Sequence, residues 1–444
     1  MAAGMNARQL ALGRDGRGSN AQLIPAGHEW EYASFSRLMS TLLAAKADSP
    51  VDVGRPDKCF IDRLPNELLC AIFLVCGGPN PASIYPCYEL MHDEDLQDYG
   101  GDLHSTTVIV LGSVCGRWRA VTRNYPVLWT LVDIAYPRDD AFATLKLCLT
   151  YSAGLPLALQ ICGLGIGPVY NRFMRIVAAN AHRWTEISFR LLEGVDSLQP
   201  LLATPPGAFS ALQKAHIDIR LCRTHASSTD TSLWRLLMHS PNLRVVDWTQ
   251  AAYVRSGISL APLQQLTHVG LHYATPDMLT PILSTCVKLE VLVISIYVKA
   301  LAADPFHEDL SYRLPHLRDL LLCGSYDWSA LLSCLVAPSL QRLELSKTKM
   351  YRGAIEGMLR RSTARLRMLG MHWLMTNQAE DVVALLHGEL MKDLQIVLYE
   401  RYIEGGIEEW EAHFDLMPFL PSHVSFYTTN ALRAEEAYYE TMPR

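Results

Sequence analysis

The sequence has no apolar run long enough to cross a membrane. Its longest candidate, Thr107 to Val114, is interrupted at Gly112 and Ser113, whereas a spanning helix needs about 20 apolar residues. Residues 1–18 lack the apolar centre of a secretory signal, and no Asn-x-Ser/Thr sequon occurs. The eleven cysteines are dispersed, without a Cys-x-x-Cys pair that would indicate zinc. These absences favour a protein of the reducing cytosol or nucleus that has no membrane partner.

The chain also lacks the sequence signatures of nucleic-acid and common enzyme sites. Its formal net charge is -6, and its lysines and arginines do not cluster, so it offers no basic surface for phosphates. A nucleophile elbow, a phosphate loop, a dinucleotide fingerprint and a metalloprotease helix are all missing. The glycine-rich stretch 163–168 lacks the lysine of a phosphate loop, and we interpret it as a connection between two domains. We therefore expect no catalytic residue, no cofactor and no nucleic-acid partner.

What the chain does have is enough apolar material for a large core. Of its 444 residues, 50% are hydrophobic and 19% are charged, which is typical of a folded protein. This length exceeds what a single compact core usually organises, so we expect two or more units.

Two short clusters in the first third predict a small helical module. In residues 61–73, Pro65 suits the first helical position, and the apolar side chains that follow recur at three- and four-residue spacings. In residues 114–129, Trp118 and Trp129 are large side chains of the kind that dominate interfaces. Ordinary core helices would show a similar apolar stripe, so the combination of the two clusters carries the prediction.

The combined pattern resembles the F-box family. It matches the Leu-Pro-x-Glu-Leu-Leu-x-x-Ile-Phe and Val-Cys-x-x-Trp-Arg motifs, and a later Leu-Trp, at Leu64, Pro65, Glu67, Leu68, Leu69, Ile72, Phe73, Val114, Cys115, Trp118, Arg119, Leu128 and Trp129. The resemblance implies that this module binds a Skp-type adaptor and, through it, a cullin of a ubiquitin ligase. The implied adaptor-binding residues are Leu64, Pro65, Leu68, Leu69, Ile72, Phe73, Val114, Trp118, Leu128 and Trp129. The chain departs from the family in a long stretch at 77–106, predicted to be an inserted surface loop.

From about His182 onward, one pattern recurs nine times: an apolar residue, two variable positions, an apolar residue, one variable position and a third apolar residue. Trp184, Ile187 and Phe189 form the first copy, and Leu394, Val397 and Tyr399 form the last. The spacing between copies is close to the 20–29 residues of leucine-rich repeats. The pattern predicts a curved array of parallel strands, with helices in the connections, such as Met278 to Cys286 and Tyr351 to Arg361. A non-repetitive α/β domain with leucine-rich strands is the alternative.

The variable positions of these strands predict a target-binding surface on the concave face, because neighbouring strand residues alternate sides. The candidates are Asp247, His268, His272, Val291, Val293, Asp319, Arg342, Glu344, His372 and Glu400. They combine an apolar centre with charged and imidazole groups, as interaction surfaces do. They could equally be ordinary solvated strand residues, with the apolar ones covered by the carboxyl-terminal segment. His268 and His272 lack a clear third ligand, so we expect no metal site.

The predicted fold is therefore α/β, with an amino-terminal helical F-box followed by a leucine-rich-repeat solenoid. The predicted ranges are a flexible tail at 1–28, a helix and linker at 29–56, the F-box-like domain at 57–135, the array at 136–400 and a cap or tail at 401–444. The function expected is that of a substrate-recognition subunit of a cullin-RING ubiquitin ligase, with an unknown protein as target. The alternatives are an adaptor-binding scaffold without a role in degradation and a metal-dependent hydrolase that uses the concave histidines.

Overall fold

A computed structural model describes most of the chain from residue 60 onward. The described residues are 60–77, 104–135, 137–139, 141–164, 167–191, 198–218, 226–249, 263–272, 274–296, 306, 310–372, 379–400 and 420–428. The chain divides into two units, residues 1–59 and residues 60–444. The predicted tail and the helix of 29–56 therefore lie outside the described residues, as does most of the predicted loop 77–106.

Three α-helices of the helical module lie within the described residues. These are α1 (Asn66–Gly77), α2 (His104–Val114) and α3 (Gly116–Arg123), and a 3-10 turn at Pro126–Trp129 follows them. Cys115 caps α3, because its Sγ accepts a hydrogen bond from the Trp118 N–H at 3.4 Å. The end of the predicted loop is helical rather than irregular, since α2 already begins at His104.

The rest of the described chain is made of short strands with helices between many of them. The strands are β1 (Leu131–Ala135), β2 (Leu157–Leu164), β3 (Trp184–Leu191), β4 (Lys214–Asp218), β5 (Val245–Thr249), β6 (His268–His272), β7 (Val291–Ser295), β8 (Tyr312–Arg313), β9 (Asp319–Cys323), β10 (Leu335–Val336), β11 (Arg342–Ser346), β12 (Met368–His372), β13 (Ile396–Glu400) and β14 (Ser425–Thr428). The helices are α4 (Ala141–Tyr151), α5 (Pro168–Ala179), α6 (Gln199–Leu202), α7 (Ala226–Met238), α8 (Pro276–Thr285), α9 (Ser329–Cys334), α10 (Arg352–Ser362) and α11 (Ala379–Leu386).

Twelve of these strands form one parallel sheet. Its order is β1-β2-β3-β4-β5-β6-β7-β9-β11-β12-β13-β14, so each strand lies beside the next along the chain, with only the short β8–β10 pair set apart. The predicted helices at 278–286 and 351–361 are confirmed as α8 and α10. This is the architecture expected of a leucine-rich-repeat array, and the fold is mixed α/β with a long parallel sheet.

The repeated apolar positions form the core on one face of the sheet. In every copy their described side chains are buried, from Trp184 in the first to Val397 in the last. Helix residues such as Ile355 and Leu359 of α10 belong to the same core cluster. A single repeat cannot cover its apolar side chains, so the stacked neighbours stabilise one another.

The sheet begins earlier than the nine copies indicate. Strands β1 and β2 precede His182 and pair in parallel, so β1 lies inside the range assigned to the F-box-like domain. The glycine-rich stretch 163–168 is not a connection between two domains, which corrects its interpretation. Gly163 has a positive φ one residue before the end of strand β2, and Pro168 opens α5, so the stretch joins a strand and a helix of the same array.

Candidate functional site

The predicted adaptor-binding residues fall into two groups in the helical module. Leu64, Leu69, Phe73, Leu128 and Trp129 are buried in its core, whereas the F-box resemblance implies that they contact the adaptor. Their apolar side chains are more favourable against one another than in water, so they hold the module together instead.

Aromatic and polar contacts fix the helices of the module against each other. The Phe73 and Trp118 rings lie 4.8 Å apart, and Trp118 itself is half-buried. The Trp129 Nε1–H donates to the Thr122 carbonyl at 2.8 Å. Arg117 of α3 donates to the Leu64 carbonyl and to Asn66 Oδ1, which ties α3 to the beginning of α1.

The second group faces outward. Pro65, Leu68 and Val114 are exposed, and Ile72 is half-buried. The structure adds three exposed apolar residues that sequence reasoning missed, Val75, Val110 and Val127. Leu68 and Val75 lie seven residues apart on α1, and Val110 and Val114 lie four apart on α2, so each pair shares one helix face. We call Leu68, Val75, Val110 and Val114 the exposed stripes.

The predicted target-binding residues all lie on the sheet face opposite the core, which we call the outer face. Strand register aligns this face in three rows. The first row contains Val245, His268, Val291, Asp319, Arg342, Met368 and Ile396. The middle row contains His216, Asp247, Gly270, Val293, Leu321, Glu344, Gly370 and Leu398. The third row contains Thr249, His272, Ser295, Cys323, Ser346, His372 and Glu400.

Two of the predicted acid and histidine residues meet on neighbouring strands β5 and β6. Asp247 Oδ1 lies 3.0 Å from His272 Nε2. Between them lies Gly270, where a Cβ would come 2.5 Å from Asp247 Oδ1, so only glycine leaves room for this contact. His216 Nδ1 lies 3.7 Å from Asp247 Oδ2, beyond hydrogen-bond range.

The arrangement keeps Asp247 ionised. Burial is the largest effect and raises the pKa of the carboxyl, but the positive charge of His272 and contacts with His216 and His272 together outweigh it. The net result is a pKa well below the ordinary aspartate value.

The same construction recurs on β11 and β12. Glu344 Oε2 lies 3.4 Å from His372 Nε2, and Gly370 occupies the position between them. A Cβ on Gly370 would lie closer than 3.0 Å to Glu344 Cγ. We call these two sets, Asp247–Gly270–His272 and Glu344–Gly370–His372, the acid–glycine–histidine groups.

Arg342 adds a second partner to the Glu344 carboxylate. Its Nε lies 2.6 Å from Glu344 Oε1, and both side chains are almost fully buried. Burial alone raises the Glu344 pKa, but the Arg342 charge and the His372 contacts outweigh it and lower the pKa to about 2. The carboxylate therefore stays charged at every physiological pH.

Asp319 is different, because its Oδ1 is buried and has no hydrogen-bond partner. Burial raises its pKa to about 6, and the Arg342 charge only partly opposes this shift. His268 has a lowered pKa, also mainly through burial, and its Nδ1 lies 2.8 Å from Thr267 Oγ1. The neutral imidazole is thus favoured at His268.

The remaining candidates complete the outer face. Val291 and Val293 are half-buried on β7. Glu400 is in register with His372, although its side chain lies outside the described part of the chain. The Asp247 and Glu344 positions are separated by four strand steps, or about 19 Å. The structure therefore places the predicted residues on one face but in two separate polar clusters.

One contact bears on the hydrolase alternative. His272 Nδ1 lies 3.2 Å from Ser295 Oγ, so Ser295, His272 and Asp247 form a chain of the same residue types as a hydrolytic triad. Ser295 is only 3% exposed, so a substrate carbonyl cannot reach its hydroxyl in this conformation. Within the described ranges, no three histidine, cysteine or acidic residues are placed to hold a metal ion. In the same ranges, no helix is long and apolar enough to cross a membrane.

Comparison with known proteins identifies no family for the chain. No protein-family model and no curated protein matches it, so the F-box resemblance stays a prediction from its motif residues. Among solved structures, a leucine-rich-repeat protein of Leptospira interrogans aligns with 57% of this chain and 80% of its own, at 12% identity and a TM-score of 0.18. A score this low carries no argument, and the repeat fold described above rests on the sheet itself.

Proposed function

We propose that this chain is a protein-binding adaptor of a cullin-RING ubiquitin ligase. In this proposal the helical module binds a Skp-type adaptor, and the outer face of the sheet holds a protein target. The chain performs no bond chemistry itself. It acts by raising the effective concentration of the target near a conjugating enzyme that other subunits supply.

The observation that carries the proposal is where the exposed apolar side chains lie. Among the described residues, seven large hydrophobic side chains are exposed, and five of them belong to the helical module: Leu68, Val75, Val110, Val114 and Val127. Single exposed apolar residues are normal on any surface, whereas a concentration of them indicates a surface that a partner covers.

The exposed stripes, unlike the buried motif residues, have apolar surface in contact with water that a partner could cover. A residue contributes directly to binding only when it loses contact with water on association. Leu68 and Val114 can do so, since they are 46% and 59% exposed. Leu64 is 7% exposed, so truncating it would disturb the module before it tested binding.

The test is co-purification of the full chain with a Skp-type adaptor. We expect the Leu68→Glu and Val114→Glu variants to bind at least 10-fold more weakly, because each places a charge in an apolar contact. The matched control is Val287→Glu, which makes the same change at a residue that is 50% exposed but lies outside the module. Equal binding by all three variants and the unmodified chain would refute the docking surface.

A second measurement separates this proposal from a scaffold without a role in degradation. The complex that retains the Skp-type adaptor should also contain a cullin. Adaptor binding without a cullin would favour the scaffold instead.

A further inference from the structure

The residues that immediately precede the strands line up along one edge of the sheet. From Arg244 before β5 to Gln395 before β13, the backbone N–H of each such residue donates to the carbonyl of the equivalent residue one repeat earlier, at 2.7–2.9 Å. This register brings together Arg318 and Arg367, which are distant in sequence. They lie two strand steps, or about 10 Å, apart, with Gln341 between them.

Exposed cations dominate this edge. In the copies from β5 to β13, the two positions that flank the first leucine of the pattern hold five basic residues, all exposed: Arg244, Lys288, Arg318, Arg365 and Arg367. The same positions hold two acidic residues, Glu290 and Asp393, which are half-buried. This excess of positive charge contrasts with the formal net charge of -6 of the whole chain.

Neighbouring carboxylates do not neutralise these arginines. Within the described part of the chain, neither Arg318 nor Arg367 has a carboxylate oxygen within 4.0 Å of its guanidinium. Arg365 lies 3.8 Å from Asp393, but the two side chains are 80% and 38% exposed, so water screens the pair. Glu290, one strand step from Arg318, marks where the positive stretch ends.

The chemistry of this stretch fits an acidic protein segment. A guanidinium binds a carboxylate through two parallel hydrogen bonds. An extended peptide advances about 3.3 Å per residue, so acidic side chains a few residues apart match the spacing of Arg318 and Arg367. Single-stranded nucleic acid needs aromatic side chains on which its bases stack. The flanking positions from β5 to β13 hold no phenylalanine, tyrosine or tryptophan, and the negative chain repels a long polyanion.

We propose that Arg318, Arg365 and Arg367, which we call the basic edge, bind a segment of a partner protein that is rich in aspartate and glutamate. The basic edge borders the predicted target surface, because Asp319 and Met368 begin the outer face directly after Arg318 and Arg367. This inference does not depend on the ubiquitin-ligase proposal, since it follows from charge and register alone. Loss of adaptor binding would leave it standing.

The test measures binding of fluorescein-labelled octaglutamate to the full chain by fluorescence polarisation. At about 0.05 M salt, charges on the surface are only weakly screened. We expect octaglutamate to bind at least 10-fold more tightly than octaglutamine. Replacing Arg318 and Arg367 together by serine should weaken octaglutamate binding at least 5-fold.

The matched control replaces Arg138 and Arg175 together by serine. Both residues are exposed and lie near strands β1 to β3, at least five strand steps, or about 24 Å, from β9. This variant removes the same charge and should change binding less than 2-fold. Equal losses from the two double variants would overturn the proposal, because net charge alone would then explain binding. Octaglutamate binding no tighter than that of octaglutamine would overturn it as well.

Charge reversal keeps the test decisive if the serine variant loses structure. Replacing Arg318 and Arg367 together by glutamate should strengthen binding of octalysine at least 5-fold, whereas the same reversal at Arg138 and Arg175 should not. An equal gain from both reversals would overturn the basic edge. Tighter binding of octauridylate, an RNA of similar charge, than of octaglutamate would overturn the assignment of a protein partner.

Discussion

Replacing Gly370 by alanine tests whether glycine is required beneath an acid–histidine contact. A Cβ at this position would lie closer than 3.0 Å to Glu344 Cγ and 3.1 Å from His372 Nε2. The Glu344 side chain cannot simply swing aside, because Arg342 holds its carboxylate at 2.6 Å and both residues are buried. Alanine must therefore displace the carboxylate from one or both of its partners.

The expected loss of stability follows from separating the Glu344 carboxylate from Arg342 or His372. Separating a buried ion pair typically costs about 3–5 kcal/mol, because a charge is left without compensation. We expect Gly370→Ala to lower the free energy of unfolding by about 3 kcal/mol, the lower part of that range, since both partners remain in the chain. The matched control is Gly353→Ala on helix α10, where a Cβ would meet nothing within 4 Å. Alanine there should stabilise the helix by roughly 0.5–1 kcal/mol.

Urea unfolding of the full chain, followed by tryptophan fluorescence, measures both variants. The two substitutions add the same methyl group, so opposite signs of the change in free energy would isolate the effect of the contact. If Gly370→Ala were as stable as the unmodified protein, or if both variants changed equally, the Glu344 carboxylate would not be fixed as described.

Two further predictions concern the same outer face. Gly270→Ala should also destabilise the protein, because its Cβ would lie 2.5 Å from Asp247 Oδ1; an unchanged urea midpoint would show that Asp247 can move away without cost. Asp319→Asn should stabilise the protein at pH 7 by up to about 3 kcal/mol. The pKa of Asp319 in the folded protein is about 6, above the ordinary value of 3.8, so ionisation of the buried carboxyl opposes folding. This penalty is absent below pH 3.8, grows as the pH rises towards 6 and is complete above it, so equal gains at pH 3.5 and pH 7 would contradict the assignment.

The repeat pattern shows how much of the fold the sequence predicts. The spacing of Leu289, Leu292 and Ile294, repeated along the chain, is a local signal, and all three side chains are buried as the pattern requires. The same spacing occurs at Trp129, Val132 and Ile134, which form the first copy of the array on β1. The spacing of this copy is visible in the sequence, but Trp129 also completes the F-box motif, so one residue fits two patterns.

The helical module shows why motif residues are weaker guides to a surface. A motif gives the order of the apolar residues, but it does not say which of them the module buries for its own stability. Phe73 and Trp129 are interior, whereas Val75 and Val110, which belong to no motif, are among the most exposed apolar residues in the described ranges. Packing among helices that are distant in sequence decides this division.

The sequence by itself determined the strand repeat, the residues that point to each face of the sheet and the existence of a helical module before it, because each of these follows from spacing along a short segment. Only the tertiary structure decided that Asp247 reaches His272 across Gly270, that Glu344 does the same across Gly370, and that Arg342 and Met368 on the outer face are buried whereas Val291 is half-buried. Those contacts join residues about one repeat apart or more, and their geometry depends on strand register and on packing that no local pattern encodes.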